Sequence, residues 1–136
     1  MPRKQSPTLT EAELRLMDLL WLNGPGTVQQ VQSWLPDRKP LAYNSVLTTI
    51  RVLERKGYVR HAKDGRAHVY EPLVKREEAT RSEISHLLSR FFGNSRELLM
   101  LNMLEDETLD ADELKKLRDL IDEKTPQGNA REGKKR

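Results

Sequence analysis

From Tyr43 to Lys56 the chain spells a helix whose two faces cannot be exchanged. At roughly 100° per residue, Val46, Thr49, Ile50 and Leu53 fall on one side and Asn44, Thr48, Arg51 and Arg55 on the other. Gly57 follows as a natural left-handed cap and ends the helix. One face must find a core. The other keeps guanidinium and hydrogen-bonding groups in water, free to bind.

The preceding segments offer that core. Thr10 and Glu13 form a capping-box pair, Leu14, Met17, Leu20 and Trp21 follow at helical spacing, and Asn23-Gly24-Pro25 stops this first helix. Thr27 and Gln30 repeat the capping signal, and Val28, Val31, Trp34 and Leu35 give a second, short helix one apolar face before Pro36. Residues 1–8, with Pro2, Arg3, Lys4 and Pro7 and no apolar pattern, read as a flexible arm. Beyond Gly57, Tyr58-Val59-Arg60-His61-Ala62 and His68-Val69-Tyr70-Glu71-Pro72 read as short strands around Lys63-Asp64-Gly65-Arg66, whose Asp-Gly favours a hairpin turn. Three helices and a hairpin, over residues 9–74, are in the order of a winged helix-turn-helix.

The remainder is helical. Ile84, Leu87, Leu88, Phe91 and Phe92 lie along one stripe before Gly93-Asn94, and Leu98 to Leu104 make a brief apolar helix. Asp110 and Glu113 cap a last helix whose Leu114, Leu117, Leu120 and Ile121 share a face. So few residues cannot close a core alone, and the economical solution is to pack against the same helices of a second subunit. The expected fold is therefore mainly α with a small β wing: an N-terminal winged helix plus a three-helix dimerisation arm over residues 75–125. The expected dimer contacts are Leu87, Leu88, Phe91, Phe92, Leu98, Leu101, Leu104, Leu114, Leu117 and Ile121. Residues 126–136 read as a disordered, polar basic tail.

Composition removes other functions. With no cysteine, disulfides, thiolate nucleophiles and thiolate metal sites are excluded. No apolar run approaches the roughly 20 residues that cross a bilayer, and no signal-peptide pattern opens the chain, so the reading is cytoplasmic. The net charge of +3 is mild but unevenly placed. From Pro36 to Arg76 ten Lys/Arg stand against four Asp/Glu, whereas from Glu97 to Glu123 three stand against ten. A local excess of cations suits a polyanion, because each one near a phosphate releases condensed counterions.

In a helix-turn-helix the second helix of the motif presents its N-terminal residues to base edges in the major groove. Asn44 can pair with an adenine edge, Ser45 and Thr48 can donate or accept, and Arg51 reaches a base or a phosphate. Tyr43 suits the backbone or a thymine methyl. The candidate DNA-binding set is Tyr43, Asn44, Ser45, Thr48, Thr49, Arg51 and Arg55 from the helix, with Arg60, Lys63 and Arg66 from the hairpin. Ser and Asn at a helix start also serve as caps, and a charged hairpin is also an ordinary solvated loop. His61 and His68 are placed to face each other across the hairpin, but with no third ligand nearby they read as a surface pair, not a metal site. No glycine-rich phosphate loop, nucleophile elbow or zinc-protease signature occurs, so neither an enzyme nor a cofactor is expected.

Leu9-Thr10-Glu11-Ala12-Glu13-Leu14, Leu20-Trp21 and the run from Tyr43 to Gly57 carry a resemblance. They resemble the BlaI/MecI-type penicillinase repressors. The similarity extends through Tyr70-Glu71-Pro72, Phe91-Phe92-Gly93 and Leu114 to Ile121, about residues 9–124. The resemblance implies a homodimer on a palindromic DNA operator with TACA/TGTA-like half-sites, upstream of antibiotic-resistance or stress genes. It also implies relief by proteolysis in the dimerisation region, downstream of a membrane-bound zinc metalloprotease receptor. The matching bond is Asn102-Met103, where relatives with the clearest cleavage site carry Phe after the Asn. Two further readings stay open on the residues alone: a winged-helix adaptor for an acidic protein partner, and a DNA-binding regulator switched by a ligand instead of proteolysis.

Overall fold

The two-faced helix is present with the limits read from the sequence. The computed structural model describes residues 8–105 and 108–125. Helix α1 spans Glu11–Asn23, α2 Val28–Trp34 and α3 Tyr43–Lys56. Both expected capping boxes form: Glu13 N–H donates to Thr10 Oγ1 at 3.1 Å and Thr10 N–H to Glu13 Oε1 at 3.0 Å, and Thr27 and Gln30 do the same for α2. Helix α3 ends on Gly57, whose φ of +91° lets its N–H reach back to the Leu53 and Glu54 carbonyls.

Val46, Ile50 and Leu53 of α3 are completely buried against Leu16, Met17 and Leu20 of α1 and Val28 and Val31 of α2. The buried row of α1 is Glu13, Leu16, Met17 and Leu20, the i, i+3, i+4, i+7 set of one helix face. Leu14, expected on that row, is exposed and stands with Trp21 beside Ile84. Glu13 is buried but not alone, since Lys56 Nζ lies 2.7 Å from its carboxylate.

Strands β1, Val59–Asp64, and β2, Ala67–Pro72, pair antiparallel from Val59 opposite Pro72 to Asp64 opposite Ala67. The turn is therefore the pair Gly65-Arg66. Lys63 and Asp64, read as turn residues, belong to β1, because Gly65 supplies the positive φ, +67°, at the first turn position. The hairpin is held to the helices by Gly26, which exchanges two backbone hydrogen bonds with Tyr70, at 3.0 and 2.8 Å. Only glycine fits there: a Cβ on Gly26 would stand 2.6 Å from the Trp34 ring.

Helix α4, Arg76–Phe91, follows. The Trp21 indole N–H donates to the Val74 carbonyl, and the Arg76 guanidinium lies over the Trp21 ring and 2.9 Å from Asp18. The Leu9 N–H donates to Glu83 of α4.

The chain divides into two compact units, Met1–Arg90 and Phe91–Arg136. The second holds α5, Arg96–Leu104, capped by Ser95, and α6, Ala111–Lys124, opened by the expected Asp110/Glu113 box. Neither helix has a buried residue. The expected arm, apart from Thr8, and the expected basic tail lie outside the described residues. Among the described residues no helix is long and apolar enough to cross a membrane.

Candidate nucleic-acid interface

The face of α3 turned away from the core carries the residues the sequence singles out. Tyr43, Asn44, Ser45, Thr48, Arg51 and Arg55 are exposed, and Thr49 is half-buried at the edge of the packed face. The N-cap is Ala42, which makes no side-chain capping bond. Asn44 and Ser45 are therefore not its caps, the ordinary structural use of such residues. Their side chains stand on the first turn, in front of backbone N–H groups that carry the positive end of the helix dipole.

The hairpin lies beside this helix. Lys63 and Arg66 are exposed near its tip. Arg60 is occupied: it forms an ion pair with Glu71, its cross-strand partner in the register. An exposed pair of this kind is worth about 0–1 kcal/mol, so a phosphate can displace the carboxylate at little cost. Between α3, the start of α2 and β2 opens a cleft of about 290 Å³, lined by Thr27, Gln29, Tyr43, Arg51, Arg66 and Tyr70 among others.

One polar contact between α3 and the hairpin has no counterpart in the sequence reading. The His61 Nδ1 is 2.7 Å from Glu54 Oε2. Arg51, one turn before Glu54, lines the cleft together with Tyr70. His61 and His68 stack with ring centroids 4.5 Å apart, although they are not direct partners: His61 lies opposite Tyr70 and His68 opposite Lys63, so the two rings meet diagonally. Alternation along β2 already places His68 and Tyr70 on one face. The link from His61 to Glu54 of α3 depends on the tertiary docking of the hairpin.

Burial, then the nearby Glu54 carboxylate, push the Tyr70 phenol above its ordinary value, against the opposing pull of Arg51. Burial, then Glu83 and Glu13, push Tyr58 up in the same direction. Among the described residues no three His, Asp or Glu side chains converge as a metal site.

The residues expected at a dimer contact are mostly uncovered. Leu87, Phe91, Leu98, Leu101, Leu104 and Ile121 are exposed, Phe91 by 64%. Phe92, Leu114 and Leu117 are half-buried, and Leu88 is buried already within one chain. Asn102 and Met103 are exposed on α5, with the Asn102 amide donating to the Leu98 carbonyl one turn earlier.

The chain is similar to known proteins. A family model described as penicillinase repressor matches residues 9–123. The penicillinase repressor of Bacillus licheniformis is 26% identical over 120 residues, covering 88% of this chain and 94% of its own. The transcriptional regulator BlaI of Mycobacterium tuberculosis is 41% identical over 71 residues, 52% of this chain and 51% of its own. Among solved structures, the DNA binding domain of the repressor BlaI is similar at 27% identity and a TM-score of 0.49, covering 55% of this chain and 92% of that one. With the family's model matching from the first capping box to the end of α6, the chain belongs to the penicillinase repressor family, which consists of transcriptional repressors and not of enzymes.

Proposed function

We propose that this protein is a cytoplasmic repressor that binds a palindromic operator as a homodimer, with α3 in the major groove and the hairpin as a wing on the phosphate backbone. The observation that carries the reading is the exposed row Asn44, Ser45, Thr48, Arg51 and Arg55 on a helix whose cap uses none of them. Asn44, Ser45, Thr48 and Arg51 meet base edges, and Tyr43 and Thr49 flank them. Arg55, Arg60, Lys63 and Arg66 serve the phosphates, which orient the protein without reading sequence.

One head offers few base contacts and binds weakly. Two linked heads gain from effective concentration, so the dimer sets the affinity. Support for the second copy comes from the apolar row left in water on the C-terminal helices, where Leu98, Leu101, Leu104, Leu120 and Ile121 are each 44–53% exposed. Covering such surface recovers roughly 25 cal/mol per Å².

Relief comes from cutting the Asn102-Met103 bond by a protease downstream of a membrane-bound receptor. A protease needs extended chain, and this bond lies in a helix. Helices below about 12–15 residues are marginal without packing, and α5 has nine residues and none buried, so it opens cheaply. The cut detaches α6, with Leu114, Leu117 and Ile121, from the DNA-binding head. Resistance genes are the expected targets.

A titration of the full chain against a duplex with TACA/TGTA half-sites and against a random duplex, over a salt series, tests the reading. Operator binding with two chains per duplex, and affinity falling linearly with log salt, is expected. Affinity flat against salt points to an acidic protein partner and overturns it. Chains still intact after derepression in cells overturn the proteolytic step.

A further inference from the structure

The feature that the operator reading leaves unused is the contact between Glu54 of α3 and His61 of β1. Glu54 is the only acidic residue of α3, a helix that otherwise offers arginines and hydrogen-bonding groups to a polyanion. Its carboxylate stands 2.7 Å from His61 Nδ1, at hydrogen-bond distance. The His61 ring is backed in turn by β2: it stacks on His68 at 4.5 Å and tilts against Tyr70 at 5.4 Å. His61 and Tyr70 are opposite one another in the register, so both strands are held at one rung. Gly26, between α1 and α2, holds β2 there through two backbone bonds to Tyr70, and Glu54 holds β1 through His61. Beyond the rung residues 62–66 are exposed, and they include Lys63 and Arg66. On the other face of the ribbon Arg60 pairs with Glu71, which ties one strand to the other and not the ribbon to a helix.

We propose that Glu54 and His61 are positioning residues for DNA binding: their contact clamps β1 to the recognition helix and so fixes Lys63 and Arg66 of the wing in register with the phosphates flanking the groove that α3 enters. A two-stranded hairpin is marginal by itself, so its attitude is set by what holds it. With Gly26 alone, the ribbon rolls about β2, the strand that is held. A hydrogen bond to a phosphate closes at about 3 Å and is gone about 0.5 Å further out, so even a small roll withdraws the tip. An exposed pair of this kind adds little to folding, and what it fixes is an angle. Charge alone predicts the reverse, since deleting an acid from a surface that meets a polyanion should tighten binding. The sign of the effect therefore separates a clamp from a bystander carboxylate.

This inference rests on the operator reading, and the experiment separates the two. In the full-length protein, Glu54→Ala is expected to weaken binding to operator and random duplex alike, about tenfold, and to make the salt slope shallower by up to about two per head, one for each of Lys63 and Arg66. The ratio between the two duplexes should hold, because α3 still reads its bases. His61→Phe keeps a ring against His68 and Tyr70 and removes the nitrogen. It is expected to show the same losses, and the double variant no more than either alone. Added to the pair Lys63→Ala and Arg66→Ala, Glu54→Ala should cost nothing further. Should Glu54→Ala prove unfolded by circular dichroism, His61→Phe takes its place in each comparison.

A readout free of DNA accompanies these. Amide hydrogen exchange over residues 61–70 should quicken in Glu54→Ala and in His61→Phe, while α1, α2 and α3 exchange as in the parent. Binding that is unchanged or tighter in Glu54→Ala, an unchanged salt slope, a further loss on top of Lys63→Ala and Arg66→Ala, or a wing that exchanges as slowly as the parent's would each overturn the clamp. A parent protein whose affinity for DNA is flat against salt would instead overturn the operator reading, while hydrogen exchange still decides whether Glu54 and His61 hold the hairpin.

Discussion

The two units of this chain use the same local helix chemistry and reach opposite ends. In the N-terminal unit, capping boxes open helices whose apolar rows meet: Leu16, Met17, Val31, Val46, Ile50, Leu53 and Tyr58 are all completely buried. In the C-terminal unit, Ser95 and Asp110 cap helices as well made, yet no residue of α5 or α6 is buried. Local signals decide that a helix forms; only packing partners decide whether it holds. The first unit closes on itself, and the second presents an unfinished core.

The largest test of that contrast is a pair of substitutions. Leu53→Ala removes a fully buried side chain from the head and is expected to cost about 2–5 kcal/mol. Leu101→Ala, on half-exposed α5, is expected to leave the head unchanged and to weaken self-association. The two readouts separate because both tryptophans, Trp21 and Trp34, precede residue 90, so urea unfolding followed by tryptophan fluorescence reports the N-terminal unit. Sedimentation reports self-association. An equal fall in the fluorescence midpoint for both variants would break the contrast.

Next in size is Gly26→Ala. The added methyl meets the Trp34 ring at 2.6 Å, and the bonds Gly26 makes to Tyr70 keep the backbone from moving away. Overpacking of this kind costs roughly 1–3 kcal/mol. The fluorescence midpoint should fall.

These residues also mark where sequence reasoning stops. The three capping boxes were legible because Thr10 and Glu13, Thr27 and Gln30, and Asp110 and Glu113 bond within one turn of their own helices, and the end of α3 because Gly57 supplies its left-handed cap. The polar face of α3 was legible for the same reason, through the helical period alone. The links of Glu54 to His61 and Gly26 to Tyr70 cross from one element to another, and nothing local in the chain announces them. The turn was misplaced by the attraction of Asp64-Gly65, a strong turn signal. The register makes Gly65 the first turn residue and leaves Asp64 in the strand.

A smaller effect asks whether one cap is worth the same in both units. Thr10→Ala and Asp110→Ala each remove an N-cap and half of a capping box, and each is expected to cost about 1 kcal/mol. In the head that loss is spread over a closed core, so helical content at room temperature should hold and only the midpoint should drop. In α6, which has no buried residue to fall back on, far-ultraviolet circular dichroism should show the helix fraying outright in the dilute protein, and raising the protein concentration should restore it. Unchanged dichroism in dilute Asp110→Ala would mean that α6 is held by something other than its cap and a partner.

The smallest effect lies at alkaline pH and bears on the closed unit alone, since Tyr43, Tyr58 and Tyr70 are the only tyrosines and all precede residue 90. Burial raises the Tyr58 and Tyr70 phenols above the ordinary 10.0 in the folded protein. A raised phenol means that the folded state prefers the neutral form more than the unfolded state does. The stability this contributes is whole below about pH 10 and is lost as pH rises through the folded values. The fluorescence midpoint in urea should therefore be flat with respect to these two groups up to about pH 10 and fall above it. The fall should be shallower in Tyr70→Phe, which has one fewer buried phenol to ionise. A midpoint that rises above pH 10, or falls as steeply without the Tyr70 hydroxyl, would mean that the head does not shield these rings as its closed core requires.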